Sequence, residues 1–591
     1  MPANGGRDRD RRRTVADGTV RLMIVALLGG LLVACDGTGP VTTGKASGGP
    51  SSGTAAAAPP PASLPGTAGT ASPSAPAVSP APATPVPAGG PGTTRGTGTR
   101  ASQSTGQGFV DTAVENRLPG ARGWQTSQSE RSGRRRRIEG FGHAISVTAG
   151  TPVRLFVSAS ASTFRIQMLR LGWYQGLGAR EVWTSVPVAG GLQAPARKDP
   201  VTRMLSAPWK VSATVPTDGL VAGDYVLKLL GADGASSFVP FIVRETRSTD
   251  ALLMLNSALT WVAYNPWGGA NSYSATGGGE GSTKGFEGRS VVSSFDRPFA
   301  RGSGTGGLFD EEFNLVSAAE RGGLRLNYAA EGDLHSTPQI LDGARGAALL
   351  GHSEYWSRPM RAALTAARDR GVNLGFFGAN HIFRRIRLAP SAQGPDRLMI
   401  NYKLAAEDPD KTADSTADWP KDPFPDPEIS LLGTQYRCAK TRADLVITEP
   451  DSWLFSGLHL TRGQKLPGMI GPEYDRVVPA LKPPRPIQIM AHSPVPCYGQ
   501  PDFSDLTWYS HPSGAGVFSA GTLDWNMGLT SRDKLTRTVV TTATERVLAA
   551  IARPKAAQTV PAIDTMARYY HNPSGIPLDL DGKPVLPSKR P

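Results

Sequence analysis

The sequence predicts a β-sandwich followed by a mostly parallel α/β sheet covered by helices, both reached through a disordered linker. Three observations carry this. Short strands with period-two alternation crowd residues 108–248, apolar runs alternate with helical segments over 249–553, and no aromatic residue occurs between Asp36 and Gly106. The 591 residues exceed one ordinary domain.

The first 35 residues read as an export signal. Arg7, Arg9, Arg11, Arg12, Arg13 and Arg21 precede "LMIVALLGGLLV" (Leu22–Val33), an apolar run too short to span ~30 Å of hydrocarbon. It closes on "LLVAC", which resembles the lipobox of bacterial lipoproteins. That resemblance implies cleavage before Cys35, lipidation of its thiol, and an exported protein anchored to the bacterial cell membrane. Residues 36–107 are rich in Ala, Pro, Gly, Ser and Thr. Such a segment buries too little apolar surface to offset its ordering entropy, so it reads as a disordered tether reaching roughly 50 Å.

In residues 108–248, "TPVRLFVSA" places Val153, Leu155 and Val157 on one face, and "TFRIQMLRL" does the same with Phe164, Ile166 and Met168. "DYVLKLLG" and "SSFVPFIVRE" add two runs bounded by turn residues, giving a sandwich of immunoglobulin-like size. Beyond Asp250 the rhythm changes. "ALLMLN" (Ala251–Asn256) reads as a buried strand, Asp310–Arg321 as a helix, and "LRLNY" (Leu324–Tyr328) and "GAALLG" (Gly346–Gly351) as strands. Ser357–Arg370 is a helix with Ser357 as N-cap, Pro359 in the first turn and Gly371 past its end. "VNLGFFG" (Val372–Gly378), "PIQIMAH", "GAGVFSAG" and a helix from Arg532 to Ala552 complete the α/β region, and residues 554–591 form a tail.

In open α/β sheets, sites form beyond the carboxyl ends of the strands. His352 and Glu354 follow one strand end in "GHSEYW", Asn380 follows the next in "FFGAN", and Tyr264 and Tyr273 follow the first. Three readings compete for "GHSEYW". Ser353 is a nucleophile in a G-x-S turn, although Tyr355 stands where that motif takes Gly. Glu354 is a hard oxygen ligand that, with two phenolates, suits a hard ion such as ferric iron. Or His352 and Glu354, on one face of extended backbone, brace the strand end as a hydrogen-bonded pair.

Nine stretches, "ENRLPG", "LGWYQG", "TWVAYNPWGG", "NSYS", "SFDRPF", "GHSEYWS", "GVNLGFFGAN", "PEYDR" and "GVFSAGTLDW", run in order from Val114 to Trp525. Together they resemble the large (β) subunit of N,N-dimethylformamidase and its relatives. The resemblance implies hydrolysis of a linear amide C–N bond and a mononuclear iron held by Tyr264, Tyr273 and Glu354. It places His352, Asn380 and Glu473 beside the metal as catalytic residues: Asn380 as donor to a developing oxyanion, Glu473 or His352 as proton acceptor. A small partner subunit or a homo-oligomer is a further implication. The chain departs from the family at Ser353, where Asp is frequent, and before Glu473, where an aromatic residue is.

The net charge of +14 lies partly in the N-terminal segment; "RRRR" (Arg134–Arg137) is the one dense basic run after it. It reads as a solvated lead-in to the first strand, and an exported protein does not normally meet nucleic acid. Cys438 and Cys497 remain after Cys35, with no CxxC, and are expected to pair as a disulfide. The rival to an enzyme is a non-catalytic envelope lipoprotein that binds a polymer through the same crevice or the basic run.

Overall fold

The structure, a computed structural model, describes residues 109–126, 137–274 and 288–570. Cys35, the linker, Arg134–Arg136 and the end of the tail lie outside them. Arg137, which is described, pairs with Asp233 at 3.4 Å. Among the described residues no helix is long and apolar enough to cross a membrane.

The first region holds two sheets. One, in the order Ala213–Val215, Val153–Ala159, Ile138–Gly142, is antiparallel throughout. The other runs Ser146–Thr148, Ser236–Arg244, Gly223–Gly231, Thr163–Leu171, Ala179–Thr184, with only the first pair parallel. Val153, Leu155 and Val157 pack with Ile166, Met168, Leu227, Leu229 and Phe241 in one core. From the same strands, Leu169, Leu171, Val226, Phe238 and Ile242 belong to the core that runs on through the α/β part. Burial on both faces explains why these strands are apolar at positions that a half-solvated sheet would fill with polar residues.

An eight-stranded mixed sheet organises the rest. Arg325–Ala330, Leu252–Asn256, Gly346–Leu349, Asn373–Phe376 and Gly516–Ser519 are successive parallel neighbours. Val110–Asp111 adds one antiparallel edge, and the hairpin Ile487–Cys497/Gln500–Ser510 the other. The helix Lys534–Ile551, N-capped by Asp533, lies so close to the sheet that a Cβ on Gly346 would sit 2.3 Å from the Ile551 carbonyl. The helix Arg358–Asp369 starts at Ser357, whose hydroxyl accepts from the Met360 amide, and buries Met360, Leu364 and Ala367.

Two features differ from the sequence reading. The helix placed at Asp310–Arg321 opens as a π-helical turn, Leu308–Glu312, before Phe313–Arg321 becomes α-helical. Glu312 in that turn is fully buried and accepts from the Ser257 amide (3.0 Å), Trp261 Nε1 (2.9 Å) and Asn256 Nδ2 (2.9 Å). These side-chain bonds fix the wide turn against the first parallel strand. The second is a separate sheet that no periodicity announced, in the order Val292–Ser294, Gly394–Ile400, Arg384–Ser391, Tyr355–Ser357. It lies just after "GHSE" and carries charged side chains to it.

Cys438 and Cys497 are disulfide-bonded, with Cα atoms 5.8 Å apart. Arg170 of Thr163–Leu171 and Glu320 of the helix Phe313–Arg321 form a fully buried ion pair at 2.7 Å, tying the first region to the α/β sheet.

Candidate functional site

The strand ends gather the six residues. Leu252–Asn256 leads into the short helix Ala258–Ala263, and Tyr264 is its C-cap. Tyr273 lies nine residues on, its amide accepted by Asn271 Oδ1 at 2.8 Å. His352 and Glu354 follow Gly346–Leu349, and the Glu354 amide donates to Thr260 Oγ1 at 3.0 Å. Asn380 follows Asn373–Phe376 with φ 57°, its backbone N–H bound to Asp475 Oδ1 at 2.9 Å. Glu473 precedes the strand Tyr474–Arg476.

Three oxygen donors converge. Tyr264 Oη lies 2.8 Å from Tyr273 Oη and 2.9 Å from Glu354 Oε2. Tyr273 Oη lies 2.8 Å from Glu354 Oε1 and 2.9 Å from Oε2. Beside them stand His352, Asn380 and Glu473. His352 Nε2 is 3.1 Å from Glu473 Oε2 and 3.6 Å from Glu354 Oε2. Asn380 Nδ2 donates to Glu473 Oε2 at 2.9 Å and lies 3.2 Å from His352 Nε2, while its buried Oδ1 has no hydrogen-bond partner among the described residues. Glu354 is fully buried and Tyr273 nearly so, whereas Tyr264 is half-buried and is the most exposed of the three.

Charge is balanced within the cluster. Burial opposes ionisation of Glu354, yet His352, Lys403 and Arg384 together hold its carboxyl below the usual range. Arg384 Nε reaches Glu354 Oε1 at 3.1 Å. Lys403 Nζ bonds Tyr355 Oη at 3.0 Å and sits 3.7 Å from the Tyr273 ring centroid, and Tyr355 Oη bonds Tyr273 Oη at 2.6 Å. Burial works against a charged His352, but Glu473, Glu354 and Glu311 overcome it and push the imidazole up to about 10. Burial raises Glu331 to about 8; Ser353 Oγ donates to it and accepts from Trp356 Nε1 at 2.8 Å.

Arg384, Lys403 and Glu311 were absent from the sequence reading, and Tyr355 was weighed there only as a misfit to the G-x-S turn. Tyr355 stood inside the quoted motif; Arg384 and Lys403 lie in the unforeseen sheet and the loop after it, and no local pattern points to them. Among the described residues no group of three His, Cys, Asp or Glu side chains is arranged to hold a metal. The candidate set differs in taking two of its donors from phenols.

No curated protein matches the chain. Among solved structures, a cycloisomaltooligosaccharide glucanotransferase from Paenibacillus sp., complexed with cycloisomaltoheptaose, is similar at 12% identity and TM-score 0.12. The likeness covers 20% of this chain and only 15% of that one, too little to carry an argument. The family described as "N,N-dimethylformamidase beta subunit-like, C-terminal" matches residues 165–537, which include all six clustered residues. Since that match spans more than half of the chain, the protein belongs to the N,N-dimethylformamidase beta subunit-like family.

Proposed function

We propose that the chain hydrolyses the C–N bond of an amide, with iron held by Tyr264, Tyr273 and Glu354. One observation carries the reading: the three donors touch one another at 2.8–2.9 Å. Adjacent donors around a hard octahedral cation with bonds of ~2.0–2.1 Å stand ~2.9 Å apart, so the set fits such an ion without rearrangement. Phenolate and carboxylate oxygens are the donors a hard ion prefers.

A bound ferric ion would supply Lewis acidity toward the amide carbonyl. The protein's own residues do the rest. Arg384 and Lys403 keep the donor set anionic by compensating its charge inside a buried site. Asn380 stands beside the donors with an amide able to orient the substrate or donate to an oxyanion. His352 and Glu473, 3.1 Å apart, form a pair across which a proton moves from the attacking water toward the leaving amine. Ser353 fits a nucleophile poorly. Its hydroxyl is committed to Glu331, and His352 faces Glu473 instead.

The sequence supports placing this enzyme outside the cytoplasm, tethered by lipidated Cys35; Cys35→Ser should release it from the membrane fraction and abolish fatty-acid labelling. The site reading is tested by iron content and by the visible phenolate-to-ferric absorption of the full-length protein. Near-stoichiometric iron with that band, both lost in Tyr273→Phe and Glu354→Gln, together with release of amine from linear amides, is the expected result. A folded parent that takes up no iron from supplemented medium refutes it.

A further inference from the structure

Besides His352, three cationic side chains stand around the phenol–carboxylate cluster, and two of them have acceptors. Arg384 binds Glu354 and Asp418, and Lys403 binds Tyr355. The third, Arg301, has no hydrogen bond or ion pair through its guanidinium among the described residues. Its guanidinium carbon lies 5.9 Å from the centroid of the Tyr264 ring. Arg301 is half-buried, and so is Tyr264, the most exposed of the three donors. Glu311, Tyr264 and Asp310 act on it only through space, and burial outweighs them, pulling the guanidinium below its ordinary value.

The position is built. Asn265, next to Tyr264 in the chain, accepts the Ala300 amide through Oδ1 at 3.0 Å and donates through Nδ2 to the Pro298 carbonyl at 2.9 Å. These two bonds clip the backbone immediately before Arg301 to the residue immediately after Tyr264. On the other side the Arg301 carbonyl accepts from the Gly304 and Gly306 amides at 2.9 and 3.2 Å. Gly304 adopts φ 108°, and a Cβ there would come within 2.1 Å of the Phe238 carbonyl, so only glycine allows this turn. Arg297 below is buried and bound to the Trp267 and Ala270 carbonyls at 2.8 and 3.2 Å. A loop fixed at this many points holds the Arg301 backbone in place beside Tyr264.

We infer that Arg301 is a specificity residue that binds a carboxylate on the substrate, and that the amides hydrolysed are N-acyl or N-formyl α-amino acids. This rests on the hydrolase reading of the cluster. A guanidinium is a planar fork suited to two parallel hydrogen bonds of ~2.7–2.9 Å with a carboxylate. Gripped there, the carboxylate lies beside the Tyr264 ring, whose hydroxyl belongs to the donor set. The guanidinium stands one tyrosine ring away from the donor set, a span short enough for an α-amido acid to bridge with its carboxylate at Arg301 and its amide at the donors. In the reaction, water oxygen bonds the acyl carbon, the C–N bond breaks, and the nitrogen takes a proton. The products are a carboxylate and a free amino acid, with no redox partner required.

The test compares kcat/KM for N-formyl-L-leucine with that for N-(3-methylbutyl)formamide, the same amide lacking the carboxylate. It uses the full-length iron-supplemented protein and its Arg301→Gln and Arg301→Lys variants, with circular dichroism and iron content as checks on folding. The expected preference of the parent for the acid is roughly 10- to 100-fold, as a charged hydrogen-bond pair supplies. It collapses toward unity in Arg301→Gln and is intermediate in Arg301→Lys. A parent with no preference, or an equal preference in parent and Arg301→Gln, overturns the inference. Should the iron-loaded parent cleave neither amide, the hydrolase reading fails, and calorimetric binding of N-formyl-L-leucine decides the role of Arg301. Affinity weakened 10- to 100-fold in Arg301→Gln would uphold it; absent or unchanged affinity would refute it.

Discussion

Replacing Glu320 by Leu tests whether the two sheet regions are held as one body by a buried ion pair. Glu320 accepts from Arg170 Nη2 (2.7 Å) and Nη1 (3.3 Å), from Asn116 Nδ2 (2.6 Å) and from Tyr328 Oη (2.6 Å). Both charged side chains are fully buried. Removing the carboxylate leaves the Arg170 cation with only neutral acceptors, Tyr174 Oη (3.0 Å) and the Leu171 and Ala222 carbonyls (3.2 and 3.1 Å), and orphans the Tyr328 hydroxyl, while Asn116 Nδ2 keeps the Thr112 carbonyl at 2.9 Å. Breaking a buried pair from one side costs ~3–5 kcal/mol, whereas replacing both partners by apolar residues is often neutral. The double change Arg170→Met/Glu320→Leu should therefore recover most of what Glu320→Leu loses. In a body this large the single change corresponds to a fall of roughly 3–5 °C in thermal midpoint. The assay is a double-mutant cycle of thermal midpoints at one scan rate, followed by circular dichroism. A single change that costs under ~2 °C, or a double change whose loss equals the sum of the singles, would show that the pair does not carry this connection.

Two further predictions follow from individual side chains. Ser353→Ala removes the hydroxyl that donates to Glu331 and should cost ~1–3 kcal/mol of stability while leaving the iron content of purified protein unchanged; loss of the metal would tie Ser353 to the donor set instead. Burial opposes the charge of Asp408, but Arg387 and Thr416 hold its carboxyl down to about 2. A folded pKa below the unfolded ~3.9 means that the pair stabilises above the unfolded value and loses that contribution as pH falls toward about 2. Asp408→Asn should therefore lower the thermal midpoint at pH 7 and make little difference near pH 2; an equal effect at both pH values would contradict the assignment.

Local signals in the sequence were dependable where one segment satisfies its own requirements. Ser357, Pro359 and Gly371 mark the ends of Arg358–Asp369 because capping is a short-range affair, decided by the orphan N–H and C=O groups of that helix alone. Val153, Leu155 and Val157 alternate because one face of their strand meets a single core. The π-helical turn at Leu308–Glu312 had no such signature. It depends on Glu312 reaching Asn256, Ser257 and Trp261, more than fifty residues earlier in the chain. The sheet containing Arg384–Ser391 was invisible for a related reason: Arg384, Arg385 and Arg387 look like solvent-facing residues, yet each is committed to carboxylates or carbonyls.

The site divides along the same line. Tyr264, Tyr273, His352, Glu354, Asn380 and Glu473 were accessible because each lies in a recognisable stretch, most of them just past a predicted strand, and a parallel sheet delivers successive strand ends to one place. Arg384 and Lys403 were not, since what brings them in is charge compensation, and compensation is satisfied by any cation that the fold can carry to the cluster. A buried carboxylate flanked by two phenols creates a demand for positive charge without specifying its origin in the chain. Arg301 differs from those two. Arg384 and Lys403 answer a demand made by the protein itself. Arg301 is held by an equally elaborate set of backbone contacts, yet among the described residues no acceptor meets its guanidinium. A fold that fixes the backbone of a half-buried arginine and, among the described residues, offers its guanidinium only the Tyr264 ring has left the hydrogen-bond acceptor to arrive with the substrate.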